Sequence, residues 1–240
     1  MSIDLTQDTI MTVCAVDVTL DPSPHPFAVA NGEAIAAHWR EMTQEFPALF
    51  DGEVALLSQL GIEGDVLTGR CHIVRYATFV YWRKLRTSAG AGHFYAHPVL
   101  VSSDGALIAV RMGQHTLNAG RVYFAAGSFE PSDFRDGKAD LERNMFREVL
   151  EETGIDISSV PHEDDYQILA KSSGTVIFRR YYLDRSADEL VASIMAHVAT
   201  ETEPEIDGPV VIRHAEDLPD NLAPQMPALI DWHFSTQQLR

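Results

Sequence analysis

The stretch Arg147-Glu148-Val149-Leu150-Glu151-Glu152-Thr153-Gly154-Ile155 decides how this chain is read. At about 100° per residue, a helix sets Glu148 and Glu152 some 40° apart, with Glu151 about 60° to the other side of Glu148. Three carboxylates then share one face. Leu141, Met145, Phe146, Val149 and Leu150 fill most of the remainder, so the helix is apolar on one side and anionic on the other. Glu148 and Glu152 are like charges at i and i+4, a pairing that costs a helix roughly 0.2–0.5 kcal/mol. A hard divalent cation offsets that repulsion, because Mg²⁺ takes oxygen ligands and bridges carboxylates to phosphates. Arg147, four residues before Glu151, holds that carboxylate in place. The helix is expected over residues 140–153, with Gly154 as its stop.

Outward from this helix the pattern is a mixture of strands and helices. PVLVSS and ALIAVRM flank Asp104-Gly105, a hairpin signal whose two central positions both tolerate positive φ. Residues 122–126 read as a strand, residues 166–170 and 176–183 as a hairpin about Ser173-Gly174, and residues 210–213 as a strand. Ser186-Ala187-Asp188-Glu189 forms a capping box before the helix LVASIMAHV, and ALIDWHF reads as a short packed helix. Towards the N-terminus, residues 11–20, 53–60 and 66–74 read as strands, and residues 21–26, with three prolines, as a turn. Asn31 starts a helix with Ile35, Trp39, Met42 and Phe46 on one face, and Tyr76–Leu85 is a second, aromatic-rich helix that TSAGAGHF interrupts. Tyr76, Phe79, Tyr81 and Trp82 are expected in a core. The order of elements argues for an α/β fold, a mixed sheet between helices, preceded by an N-terminal α+β region over residues 1–95 packed on a domain over 96–240.

Composition narrows the function classes. The 240 residues are 45% hydrophobic and 22% charged, ordinary for a globular chain. With 35 acidic against 18 basic side chains the formal net charge is −17, which repels a polyphosphate backbone, so no nucleic-acid polymer is expected as a partner. A small phosphorylated substrate is still admitted when carboxylates hold a cation. Cys14 and Cys71 are too few for a disulfide framework and match no zinc spacing. The start MSIDLTQDTI lacks an export pattern and no run of 18 apolar residues occurs, so a cytoplasmic location without a membrane partner is expected. His93 and His97 have a zinc-like spacing without a third ligand and are expected at the surface. Gly90, Gly92 and Tyr95 fail as a dinucleotide loop.

The nine-residue stretch resembles the signature helix of the Nudix hydrolases: Arg-Glu, two spacers, Glu-Glu, one spacer, Gly and an aliphatic residue, all matched between Arg147 and Ile155. Five such fixed residues coincide by chance at roughly one start position in a million. The resemblance implies a Nudix-like α/β/α sandwich, Mg²⁺ or Mn²⁺ ligated by Glu148, Glu151 and Glu152, and Arg147 orienting a carboxylate. It implies a catalytic set of Arg147, Glu148, Glu151 and Glu152 that hydrolyses the pyrophosphate bond of a nucleoside diphosphate linked to another moiety, such as a nucleotide sugar. FPALFDGEVALL and HTLNAGRVYFAAG are similar to members with an added N-terminal region. The alternatives are a catalytically silent nucleotide-binding or regulatory module and a nucleoside triphosphate pyrophosphatase. Asp133 and Ala139 stand where the family has Gly and Glu; Gly127 or Gly137 is the substitute for the first, Asp140 or Glu142 for the second. The general base is a glutamate of the signature helix or one of Glu201, Glu203 and Glu205. Arg121, after Asn118 and Gly120, is a candidate phosphate clamp. The oligomeric state is open, a homodimer being one option.

Overall fold

In chain order the strands are β1 (Ile10–Val13), β2 (Ala15–Leu20), β3 (Glu53–Glu63), β4 (Val66–Arg75), β5 (Phe94–Val101), β6 (Leu107–Met112), β7 (Val122–Tyr123), β8 (Phe134–Arg135), β9 (Lys138–Ala139), β10 (Tyr166–Lys171), β11 (Gly174–Tyr182) and β12 (Ile206–Ile212). The helices are α1 (Pro26–Ala30), α2 (Gly32–Glu45), α3 (Tyr76–Leu85), α4 (Leu141–Thr153), α5 (Ala187–Val198) and α6 (Met226–Gln237). The computed structural model describes residues 3–47, 49–85 and 90–237. Of the expected break TSAGAGHF, residues 87–89 lie outside the described residues. The fold is mixed α/β, with two sheets. Two units can be distinguished, one made of Met1–Tyr95, Ser128–Leu141 and Asp165–Ile177, the other of Ala96–Gly127, Glu142–Asp164 and Phe178–Arg240. Each unit is thus discontinuous in sequence.

In the first unit, the run expected as one strand over residues 11–20 is split. The Cys14 N–H is taken by the Asp65 carbonyl, the chain bends there, and the halves join different sheets. β1 pairs antiparallel with β10, whereas β2 lies parallel to β4 and antiparallel to β9. The sheet order is β3-β4-β2-β9-β8. Residues 21–26 do more than turn: Pro26 opens α1, and His25 caps it by accepting the Phe27 N–H on Nδ1 at 3.0 Å. The aromatic helix α3 folds as expected. Phe79 and Trp82 are buried with Phe27, Val54, Leu56 and Val74, and Tyr76, Tyr81 and Trp39 pack against them. His93 is not a surface histidine, since its ring stacks on Tyr95 at 5.1 Å and hydrogen-bonds Ser128 Oγ at 3.0 Å. Burial pushes its pKa down to about 3.

In the second unit the sheet carries β6 between β5 and β12, with β7 also on β6. Val99–Val101 and Ala106–Val110 are buried without alternation, the mark of strands covered on both faces. α5 packs on β12 and β6. The 122–126 strand shrinks to β7, where Val122 and Tyr123 pair with Arg111 and Val110, and Val122 also bridges to the chain about Leu222: its N–H donates to Asn221 O and its carbonyl accepts the Ala223 N–H. His97 is buried too, accepting the Gln225 amide at 3.0 Å, with its pKa pushed by burial to about 3. Among the described residues no helix is long and apolar enough to cross a membrane.

The two Asp-Gly pairs exchange roles. At Asp104-Gly105 only Gly105 has positive φ, 81°, and Ser102 N–H and Ala106 O close a three-residue loop in place of the expected two-residue turn. Asp136-Gly137 makes the tight hairpin between β8 and β9, with φ of 51° and 74°. That hairpin occupies the stretch between Asp133 and Ala139, where the resembled signature has its Gly and Glu. Gly137→Ala should cost about 1 kcal/mol in urea unfolding, because Ala resists positive φ. Gly61→Ala, at a strand position with open space around the new Cβ, should cost less than half of that.

Candidate active site

The helix α4 places its carboxylates differently from a simple two-faced wheel. Leu141, Asn144, Met145, Glu148, Val149 and Glu152 are buried, a stripe at i, i+3, i+4, i+7, i+8 and i+11, while Leu150 is 49% exposed. Glu148 and Glu152 therefore lie within the buried stripe. The helix tolerates them because its backbone bonds are local and Met145 and Val149 supply the apolar anchoring between them. Glu151 parts from the other two: its side chain is 59% exposed and meets Arg147 Nη1 at 3.1 Å, the expected i, i+4 pair. The same guanidinium reaches Glu148 Oε1 through Nη2 at 2.8 Å. Arg147 thus bridges two of the three glutamates.

Among the described residues Glu152 has no such cation, and its buried Oε2 has no hydrogen-bond partner. Its pKa is raised well above the ordinary carboxylate range, first by burial, then by the charges of Glu148 and Glu205, against which the Ala126 main-chain N–H gives only partial relief. Of the three acidic residues expected on the loop before β12, it is Glu205 whose charge bears on Glu152. Glu205 is exposed, and its main chain is pinned by the Gly113 N–H donating to its carbonyl at 2.8 Å. Gly127 gives the carboxylate of Glu148 its space, since a Cβ at that position would overlap it. Of the two substitutes for the displaced signature glycine, Gly127 touches the site, and Gly137 belongs to the hairpin turn.

Asp133 and Ala139 play other parts. The Asp133 carboxylate accepts the Glu130 N–H at 3.0 Å in the turn of residues 131–133, and Ala139 pairs with Phe134 in the hairpin. Of the two candidates for the position that Ala139 leaves, Glu142 is the one whose carboxylate meets the buried Arg179, at 2.7 Å. Asp140 lies 3.8 Å from Arg135. Arg179 also donates to Tyr181 Oη, and that hydroxyl contacts Met145 Sδ at 3.5 Å, so the α4 stripe is tied to β11 from beneath. Nothing in the sequence pattern singled out Arg179. Arg121 is exposed at the end of the Asn118–Arg121 turn, where its N–H donates to Asn118 O and its carbonyl accepts from Met112.

The arrangement has the donor chemistry a hard cation takes: two buried carboxylates, one oxygen without a partner among the described residues, and in Glu205 a third carboxylate whose charge bears on Glu152. Among the described residues no three His, Cys, Asp or Glu side chains stand grouped as a finished metal site.

No family model matches the chain, and no curated protein matches it. It is similar to solved structures that include a MutT protein from Methanosarcina mazei, at 15% identity and a TM-score of 0.41, covering 61% of this chain and 95% of that one. A protein from Deinococcus radiodurans is similar at 15% identity and a TM-score of 0.45, over 76% of this chain and 99% of that one. A C. elegans Ap4A hydrolase is similar at 12% identity and a TM-score of 0.43, over 61% and 98% respectively.

A raised pKa means that the folded chain favours Glu152 protonated. Its ionisation withdraws stability as pH rises from about 4.5 through the raised value. In EDTA, Glu152→Gln should therefore melt at least about 3 °C above the parent at pH 8, and the gap should shrink towards zero near pH 4.5 in a thermal-unfolding series.

Proposed function

We propose that the chain is a metal-dependent hydrolase of a phosphoanhydride bond, acting on a nucleoside diphosphate linked to a second moiety, with a nucleotide sugar as the first substrate to try. The observation that carries this reading is the buried Glu152 carboxylate, left with an unpartnered oxygen beside the charges of Glu148 and Glu205. An acid so placed weakens the fold, and a bound cation reverses the sign of its contribution. The resemblance of Arg147 to Ile155 to the Nudix signature supports the same chemistry.

Glu148 and Glu152 would hold Mg²⁺ or Mn²⁺, with Glu151 joining when its pairing with Arg147 opens. Such an ion supplies charge neutralisation at the phosphoryl oxygens and a more acidic water. The chain does the rest. Ala126 N–H orients the Glu152 carboxylate, Arg147 sets the direction of Glu148, and Gly127 leaves the space in which Glu148 turns. Glu205, exposed on a loop pinned at Gly113, takes the proton of the attacking water. Arg121 would meet a substrate phosphate.

A silent binding module is the second reading, and the ion pairs of Arg147 with Glu148 and Glu151 favour it, since they neutralise two of the three signature carboxylates. Phosphate release coupled to a phosphatase, over nucleotide sugars, dinucleotides, ADP-ribose and NTPs with Mg²⁺, Mn²⁺ or EDTA, separates the two. Hydrolysis of diphosphate conjugates that EDTA abolishes is expected; binding without turnover would give the module reading, and cleavage of NTPs alone would give a triphosphate pyrophosphatase. Glu148→Gln and Glu152→Gln should lower kcat by about two orders of magnitude or more and lose the metal-induced rise in Tm. Glu205→Gln should lower kcat by about 10²–10⁴-fold and keep that rise.

A further inference from the structure

The C-terminal turn of α4 is closed by a residue from another helix. Because the chain leaves α4 at Gly154 with φ of +70°, and the Ile155 N–H turns to Thr153 Oγ1, the Glu151 carbonyl lacks its intrahelical donor. His197, in the last turn of α5, fills that place: Nε2 lies 3.0 Å from Glu151 O, and since a carbonyl only accepts, Nε2 carries the proton. The ring lies so close over Gly154 that a Cβ there would stand 2.7 Å from its Cγ and Nδ1. A glycine is needed at 154 for the backbone and for the imidazole alike.

His197 is itself held. Thr200 donates to its carbonyl through both N–H, at 2.8 Å, and Oγ1, at 2.7 Å. At its other end α5 is fixed by the Ser186–Glu189 capping box and by the Ala187 N–H donating to Asp104 Oδ1 at 2.8 Å. Met195, two residues before His197, sits against Gly208 of β12, where a Cβ would lie 2.9 Å from its sulfur. β12 begins one residue after Glu205. One body of structure, α5 with β12, therefore carries both Glu205 and the imidazole that grips the Glu151–Glu152 turn.

We infer that His197 is a positioning residue that sets the Glu151–Glu152 turn of α4 in register with Glu205. The inference rests on the proposed metal chemistry for its consequence in catalysis, and on geometry alone for the clamp. His197→Gln keeps a side-chain N–H donor, and His197→Ala removes it. In the metal-free full chain, amide hydrogen exchange over residues 151–156 should be at least about tenfold faster in His197→Ala and near the parent rate in His197→Gln, with urea midpoints of the two variants alike. Titrated with Mn²⁺ and followed by electron paramagnetic resonance, His197→Ala should bind about tenfold more weakly, and kcat should fall about 10–100-fold with KM within threefold, while His197→Gln recovers most of both. Equal exchange in parent and His197→Ala would overturn the clamp, as would a His197→Gln variant no better than His197→Ala. A parent chain that binds no Mn²⁺ would overturn the proposed function, and the exchange comparison would still decide the clamp.

Discussion

The Glu152 carboxyl is the constraint around which the second unit is arranged. Placing an ionisable group at a core-facing position of α4 sets burial against charge: desolvation disfavours the ion, and Glu148 and Glu205 add repulsion of the same sign. An apolar residue there would complete the stripe begun by Leu141, Met145 and Val149 and would stabilise the helix at no electrostatic cost. Under the proposed function, the cation that Glu152 would hold is the physical reason for a glutamate at this position. The main-chain N–H of Ala126 does not settle the balance on its own, because one hydrogen bond to an ionised carboxylate contributes about 1.5–3 kcal/mol while a buried uncompensated charge costs about 3–5 kcal/mol.

Several features that look unrelated follow from holding that carboxylate in place. Glu142 and Arg179 tether the first turn of α4, and Tyr181 under Met145 tethers its middle. His197 closes the last turn. The helix is gripped at three heights, so its buried acids cannot escape to water by sliding or fraying, which is the cheapest relaxation open to a charged stripe. Gly127 removes a side chain where Glu148 needs room, and Gly154 removes one where His197 needs it. Both glycines are explained by what approaches them, and Gly154 by its backbone as well.

Much of this was legible in the sequence, and for local reasons. α3 and the Ser186–Glu189 cap are written in side-chain spacing within a few residues. The i, i+4 pair of Arg147 and Glu151 is likewise a property of one helix. What was not legible depends on partners distant in the chain. The buried rank of Glu148 and Glu152 reads as solvated on a wheel, because a wheel ranks residues by polarity, whereas the fold ranked them by direction. Leu150 shows the converse, an apolar side chain turned to water. His93 and His97 carry no local sign of burial, and Cys14 gives none of the bend at which one run of strand divides between two sheets.

The two Asp-Gly pairs show why even a good local signal needs its surroundings. Asp136-Gly137 has one strand residue pair on each side, Phe134-Arg135 and Lys138-Ala139, too short and too polar to stand out as strands. They are strands because β2 offers its edge: Leu20 N–H donates to Gly137 O at 2.8 Å, and Lys138 reaches Asp17 at 2.9 Å. A neighbouring sheet edge thus converts a polar loop into a hairpin. The stretch that holds glycine and glutamate in the resembled signature is here committed to completing a sheet of the first unit. The anchoring of α4 must then come from elsewhere, and Glu142 with Arg179 supplies it from the helix and from β11. Displacing the front half of the motif removes no carboxylate from the buried stripe, because Glu148 and Glu152 depend on the phase of α4 and not on the loop that precedes it.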